Sequence, residues 1–286
     1  MEMPSMDVQL ETAEPLPSVE GVLNFMQPMR NKPREYAYEP PAGVPRSNVT
    51  IDPHAVRIRD MRPIAASLSL DREGFTLVAH HSAVADFYDE DALRRVYYPE
   101  AEQLIATATG ASRVVVFDHT IRRRIEGMAD RTPGAPRQPS ARVHGDYSDA
   151  SGIHRLRDVM GAEAEALLQH RFAIINIWRP IRAPLRDAPL AVCDASSLTE
   201  GDLVAADLLY RGRAGENYTM VFNPRQRWFY VPDMRVDEVL LLKCYDSAQD
   251  GRARFMPHTA FADPTPYAEV RPRESIELRT FAFFAQ

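Results

Sequence analysis

Apolar and polar residues alternate with two different periods along this chain, and the period changes near its middle. Residues 86–109 have a helical pattern. Asp89, Glu90 and Asp91 favour its start, Tyr97-Tyr98-Pro99 interrupts it, residues 101–108 resume it and Gly110 ends it. Residues 113–120 (Arg-Val-Val-Val-Phe-Asp-His-Thr) form a β-branched run and predict a strand. Residues 131–140 hold three prolines and a glycine and predict a mobile loop, after which a short strand delivers residues 143–147. Residues 149–169 predict a helix. From Arg171 onward the pattern is strand-like, with predicted strands at 172–178, 189–194, 238–245, 254–261 and 275–284. Residues 218–222 and 226–231 flank Asn223-Pro224 and predict a hairpin. Helices early and strands late suit a mainly β, α+β fold, a sandwich or barrel with helices on one outer face.

Residues 1–55 show little periodicity. Segments such as Glu39-Pro40-Pro41 cannot be helix or central strand, so this part reads as a Pro-rich arm packed on a single domain spanning 56–286. Whether the arm wraps its own core, a second copy in a homodimer or a partner enzyme is open. With 45% hydrophobic residues the chain can fill one large core. A net charge of −6 argues against nucleic-acid binding, and the lack of a long apolar run argues against a membrane span. The start of the chain lacks the features of a signal peptide, and its two cysteines, Cys193 and Cys244, sit beside apolar residues. Both observations predict a cytoplasmic protein with buried free thiols.

The chemistry concentrates at Val143-His144-Gly145-Asp146-Tyr147. On an extended segment His-x-Asp puts both side chains on one side, two residues apart. A distant histidine would complete a facial triad suited to Fe(II), with positions left open for a co-substrate and O2. His258 is the candidate, 114 residues downstream in Pro257-His258-Thr259-Ala260-Phe261. Arg273-Glu274-Ser275 follows 15 residues later. Arg-x-Ser on a strand points both side chains to one face, where they can grip the far carboxylate of 2-oxoglutarate. His119, at the end of its strand, is a second histidine that could lie near the site. Arg122, Arg123 and Arg124 read as a solvated turn. Tyr147 is a candidate cavity wall or hydrogen-bond donor. Trp178 reads either as core or as a substrate-binding residue. Arg179 either pairs with a carboxylate such as Asp194 or binds a substrate carboxylate.

Beyond these residues, Asn176-Ile177-Trp178-Arg179-Pro180, residues 189–194, Asn223-Pro224, Arg227-Trp228-Phe229-Tyr230, residues 237–247, residues 257–261 and residues 271–277 carry a wider resemblance. Over roughly residues 20–284 the chain resembles the hydroxylase/desaturase family that includes the aspergillic-acid-pathway hydroxylase, gibberellin-desaturase-like proteins and the cephamycin 7α-hydroxylation component. The resemblance implies a double-stranded β-helix (jelly-roll, cupin-like) core. It also implies an Fe(II)/2-oxoglutarate-dependent oxygenase that hydroxylates or desaturates a small-molecule intermediate of natural-product biosynthesis. One position departs from the pattern: Gln226 stands where relatives often carry histidine. Three other readings stay open at this level. They are an iron oxygenase that does not use 2-oxoglutarate, a catalytically silent β-sandwich that binds a small molecule or a partner, and a zinc hydrolase with the same ligands.

Overall fold

The computed structural model describes residues 15–285. In chain order the elements are β1 (Ser18–Met26), β2 (Arg34–Tyr36), β3 (Ile51–Asp60), β4 (Phe75–Ala79), α1 (Glu90–Ala92), α2 (Tyr98–Thr109), β5 (Arg113–Arg123), β6 (His144–Gly145), α3 (Asp149–Met160), α4 (Ala164–Leu167), β7 (Phe172–Pro180), β8 (Leu190–Cys193), β9 (Leu203–Tyr210), β10 (Arg213–Met220), β11 (Trp228–Tyr230), β12 (Glu238–Asp246), β13 (His258–Ala260) and β14 (Glu274–Phe283). They build a nine-stranded sheet in the order β1-β3-β11-β8-β13-β6-β10-β9-β2 and a five-stranded sheet in the order β4-β12-β7-β14-β5.

Side-chain alternation explains the layers. On β7, Phe172, Ile174 and Trp178 join an inner core that also takes Leu190 and Val192 of β8, so this cluster bridges the two sheets. Ala173, Ile175 and Ile177 point the other way, toward Tyr97, Ala101 and Ile105 around α2. The predicted helical layer on one outer face is therefore present. Its Tyr97-Tyr98-Pro99 interruption is a π-helical turn, Leu93–Tyr97, that runs into α2 with Pro99 in the first turn, where no amide hydrogen is needed.

A bulge decides what faces the interior. Asp118 of β5 pairs with Arg279, whereas Val116 pairs with Thr280, so Phe117 is an extra residue on β5. Before the bulge Val115 and Phe117 pack on the apolar inner core. After it Asp118, Thr120 and Arg122 turn to the same interior and line its polar end. The facing residues of β14, Ser275, Glu277 and Arg279, alternate with Ile276 and Leu278, which enter the helix-side cluster.

Three sequence expectations differ from the structure. Within residues 1–55, Ser18–Met26 is a strand paired along its length with β3, and the 55/56 division falls inside β3. Gly21 and Asn24 break the apolar alternation that would have revealed β1. Residues 1–14 lie outside the described part. Residues 218–231 do not form a hairpin. Instead β10 pairs with β9 around a tight turn at Arg211-Gly212, where Gly212 takes φ +80°, and β11 pairs with β3 and β8. The loop expected to be mobile at 131–140 is anchored, because the buried Gln138 side chain donates to the carbonyls of Arg123 and Pro136 and accepts from Ile125 N.

The helix next to the site is seated by a close contact. Ser148 caps α3: its Oγ accepts from Ser151 N at 3.2 Å, and its N donates to Ser151 Oγ at 2.8 Å. One turn on, Gly152 lies against the Tyr245 ring, which stacks on Phe172 with centroids 5.2 Å apart. A Cβ on residue 152 would overlap that ring. Gly152→Ala is expected to cost about 1–3 kcal/mol by overpacking, read as a lower urea midpoint. An unchanged midpoint would show that α3 is not seated by this contact.

Candidate metal centre

β6 and β13 are neighbours in the nine-stranded sheet, and their register sets His258 directly opposite His144. Two residues beyond His144, Asp146 turns back to the same side. The distance from Asp146 Oδ1 is 3.7 Å to His144 Nε2 and 3.8 Å to His258 Nε2, and one ligand atom from each residue lies within 4.8 Å of the others. The imidazole rings are 4.6 Å apart, centre to centre, and tilted by 55°. Each Nδ1 faces a backbone carbonyl, Arg142 O at 2.8 Å for His144 and Met256 O at 3.4 Å for His258. With Nδ1 carrying the proton, Nε2 presents a lone pair to the space beside Asp146.

Electrostatics suit a cation here. Burial, reinforced by His258, lowers the His144 pKa to about 3, so the ring is neutral and can act as a ligand. Burial raises the Asp146 pKa, but His258, Arg279, His144 and a hydrogen bond from Asn176 outweigh it and hold the carboxyl below the usual range. Asn176 Nδ2 donates to Asp146 Oδ2 at 2.6 Å and to Glu277 Oε1 at 2.8 Å. Asp146 Oδ1 is thus left toward the histidines. Two imidazoles and a carboxylate on one side of a polar space form a donor set that fits Fe(II).

Behind the histidines a small cavity of about 20 Å³ is lined by residues that include Arg122, Trp178, Arg273 and Glu277. The Arg273 guanidinium lies 4.9 Å from the centre of the Trp178 ring, donates from Nε to Ser275 Oγ at 3.0 Å and from Nη1 to Ala188 O at 2.8 Å. Arg273 and Ser275 are both buried. Burial, followed by repulsion from Arg122, depresses the Arg273 pKa. Among the described residues no carboxylate forms an ion pair with Arg273 within 4.0 Å, and Glu277 acts on it only across the small cavity. On the other side the triad opens into a cavity of about 540 Å³ walled in part by Thr120, Tyr147, Arg155 and Arg279.

Known proteins resemble this chain in sequence and fold. A family model described as an oxidoreductase/YMDC permease-like domain matches residues 23–283. The hydroxylase/desaturase efuI of Hormonema carpetanum is 34% identical over 94% of this chain and 96% of its own length. The Fe(II)/2-oxoglutarate-dependent dioxygenase nvfI of Aspergillus novofumigatus is 32% identical over 92% of this chain and 96% of its own. The chain belongs to this family of Fe(II)/2-oxoglutarate-dependent oxygenases. The solved structure of the iron and α-ketoglutarate-dependent endoperoxidase NvfI superimposes with a TM-score of 0.83 at 30% identity, covering 94% of this chain and 99% of that one.

Within this oxygenase the remaining sequence candidates take different places. Tyr147 is buried on the wall of the large cavity, and burial raises its hydroxyl pKa. Trp178 lies under Arg273 in the small cavity. The structure does not bring Arg179 to either cavity. It is one residue out of phase with Trp178 and so faces the outer layer, with its guanidinium 5.3 Å and 5.8 Å from the ring centres of Phe87 and Tyr97. Its Nη2 donates to Val236 O. The suggested Arg179–Asp194 pair is also absent, because Asp194 binds Arg227 at 2.7 Å. His119 likewise faces outward, to Tyr98 Oη at 2.7 Å and Glu90 at 3.0 Å. Gln226 donates to Val221 O at 2.9 Å and lines neither cavity, so the triad is complete without that position.

Asn176, Glu277 and Arg122 were not singled out from the sequence as site residues. The signal for Asn176 is a lone amide inside Phe-Ala-Ile-Ile-Asn-Ile-Trp, an otherwise apolar and wholly buried strand. Because Asn176 orients a metal ligand, Asn176→Ala is expected to weaken Fe(II) binding about 10–100-fold. Iron retained after anaerobic equilibrium dialysis measures this. Wild-type retention would reduce Asn176 to a structural amide.

Proposed function

We propose that His144, Asp146 and His258 hold Fe(II), and that Arg273 and Ser275 hold the distal carboxylate of 2-oxoglutarate. In this reading the chain works as one double-stranded β-helix oxygenase domain. The observation that carries the assignment is the triad of converging ligand atoms next to a buried guanidinium that has no ion-paired carboxylate among the described residues. Iron with 2-oxoglutarate and O2 supplies oxidative decarboxylation to succinate and CO2, coupled to oxidation of a substrate C–H bond.

The protein's own contribution is positional. Backbone carbonyls set both histidine tautomers, Asn176 directs the Asp146 carboxylate, and Trp178 supports the planar Arg273 head. The apolar inner core closes one side of the site and limits water there. The large cavity, reached on the Tyr147 side, receives the substrate, a small-molecule intermediate of natural-product biosynthesis that is hydroxylated or desaturated. The name of efuI, a hydroxylase/desaturase, supports this reaction class, and that of nvfI supports the dependence on Fe(II) and 2-oxoglutarate. Both cysteines are buried and free, which suits a reducing cytosol. Among the described residues no helix is long and apolar enough to cross a membrane.

Anaerobic titration of the protein with Fe(II) and then 2-oxoglutarate tests the assignment. A weak visible metal-to-ligand band is expected to grow with the keto acid. Bound iron without the band would point to an oxygenase that does not use 2-oxoglutarate. No bound iron would point to a binding protein.

A further inference from the structure

Arg122 is a second guanidinium, partly buried, on the co-substrate side of the site. Across the β5–β14 ladder it is the direct partner of Ser275. The bulge at Phe117 gives it the interior face, and it lines the same small cavity as Arg273. Among the described residues its side chain makes one hydrogen bond, from Nη1 to Gln138 O at 2.6 Å. The acceptor is fixed in turn, because Gln138 N donates to Asp130 at 2.9 Å and the Gln138 side chain is held by the backbone of β5. Among the described residues no carboxylate lies within ion-pair distance of Arg122. The acid that lines the small cavity with it, Glu277, is engaged by Arg279 at 3.2 Å and by Asn176 at 2.8 Å.

Two guanidiniums therefore line one small space whose one lining carboxylate, Glu277, is already engaged by Arg279 and Asn176; burial lowers the proton affinity of both, and Arg122 lowers that of Arg273 further. Like charges left together in a low-dielectric interior are costly unless an anion joins them. The space they share holds about one water-sized group, which suits the end of a dicarboxylate rather than a bulky substrate.

We propose that Arg122 is a co-substrate-anchoring residue. In this arrangement the distal carboxylate of 2-oxoglutarate is clamped between Arg122 of β5 and Arg273–Ser275 of β14, and Arg122 sets the requirement for a dicarboxylic 2-oxo acid. The inference rests on the Fe(II)/2-oxoglutarate reading above.

The test compares 2-oxoglutarate with 2-oxopentanoate, which keeps the chelating keto acid and the chain length but lacks the second carboxylate. Binding to the anaerobic Fe(II) protein is read from the metal-to-ligand band for wild type, Arg122→Gln and Arg122→Lys. Arg122→Gln is expected to raise the dissociation constant for 2-oxoglutarate about 10–100-fold, and to leave that for 2-oxopentanoate within about 2-fold of wild type. Arg122→Lys keeps the charge without the fork and is expected to fall between them. Equal losses for both acids, or unchanged 2-oxoglutarate binding in Arg122→Gln, would overturn the role of Arg122 while leaving the wild-type band intact. Absence of the band in wild type would instead remove the underlying reading. Iron content of each variant reports whether the site still forms.

Discussion

Alanine at His144 or Asp146 is expected to reduce 2-oxoglutarate-dependent succinate release to background. Each substitution removes one of three converging ligand atoms, and the pair left behind cannot hold a divalent cation facially. Neither side chain is part of the apolar inner core, which takes Tyr147 from this segment instead. The fold should therefore survive, with near-ultraviolet circular dichroism like that of wild type. Iron retained after anaerobic gel filtration should fall together with succinate. Full activity in both variants would refute the assignment of the metal ligands. A variant that loses activity but keeps its iron would move the metal away from this triad.

The second large effect is expected at Arg273. Arg273→Gln should weaken 2-oxoglutarate binding about 10²-fold, in line with the ~2–5 kcal/mol lost when one partner of a buried, hydrogen-bonded charge pair is truncated. The same change should not destabilise the co-substrate-free protein, and a gain is physically reasonable. Among the described residues the buried Arg273 side chain has only Ser275 Oγ and Ala188 O as acceptors, with Arg122 repelling it and Glu277 attracting it without forming an ion pair. Glutamine keeps much of the packing against Trp178 and removes a buried charge that has no close carboxylate partner among them. Weaker binding with an undiminished urea midpoint is the signature of a ligand-gripping residue. A lower midpoint with unchanged 2-oxoglutarate affinity would make Arg273 a structural residue.

How much of this was readable in the sequence varied with how local the cause was. β7 and β12 were legible because a strand buried on both faces needs a continuous apolar run. The end of α2 was legible because Gly110 takes φ +71° there. β1 and β9 were missed. Their alternation is weak, and pairing with neighbours supplies most of what holds them in the sheet. The expected strand at 254–261 shrank to three residues, since only His258–Ala260 finds partners, in β6 and β8.

The site divides in the same way. His144-Gly145-Asp146 was legible because the two-residue period of an extended chain already puts both side chains on one side. So was the pairing of Arg273 with Ser275, by the same period. Arg122 reads in the sequence as part of a solvated basic turn, and Arg179 as either a partner of a carboxylate such as Asp194 or a cavity residue. The turn reading and the cavity reading both fail on parity. The extra residue at Phe117 turns Arg122 inward, and the phase of β7 that puts Trp178 inward puts Arg179 outward.

By itself, then, the sequence determined the ligand types, their local spacing and the strands that carry them, because these follow from backbone periods and side-chain chemistry within a few residues. Only the tertiary structure decided that β6 and β13 are neighbours with His144 opposite His258. It alone placed Asn176 against Asp146, and set Arg122 and Arg273 in one cavity. Those relations depend on strand order and register between segments up to 151 residues apart. They are set by which faces the whole chain can bury at once, and no local pattern encodes that.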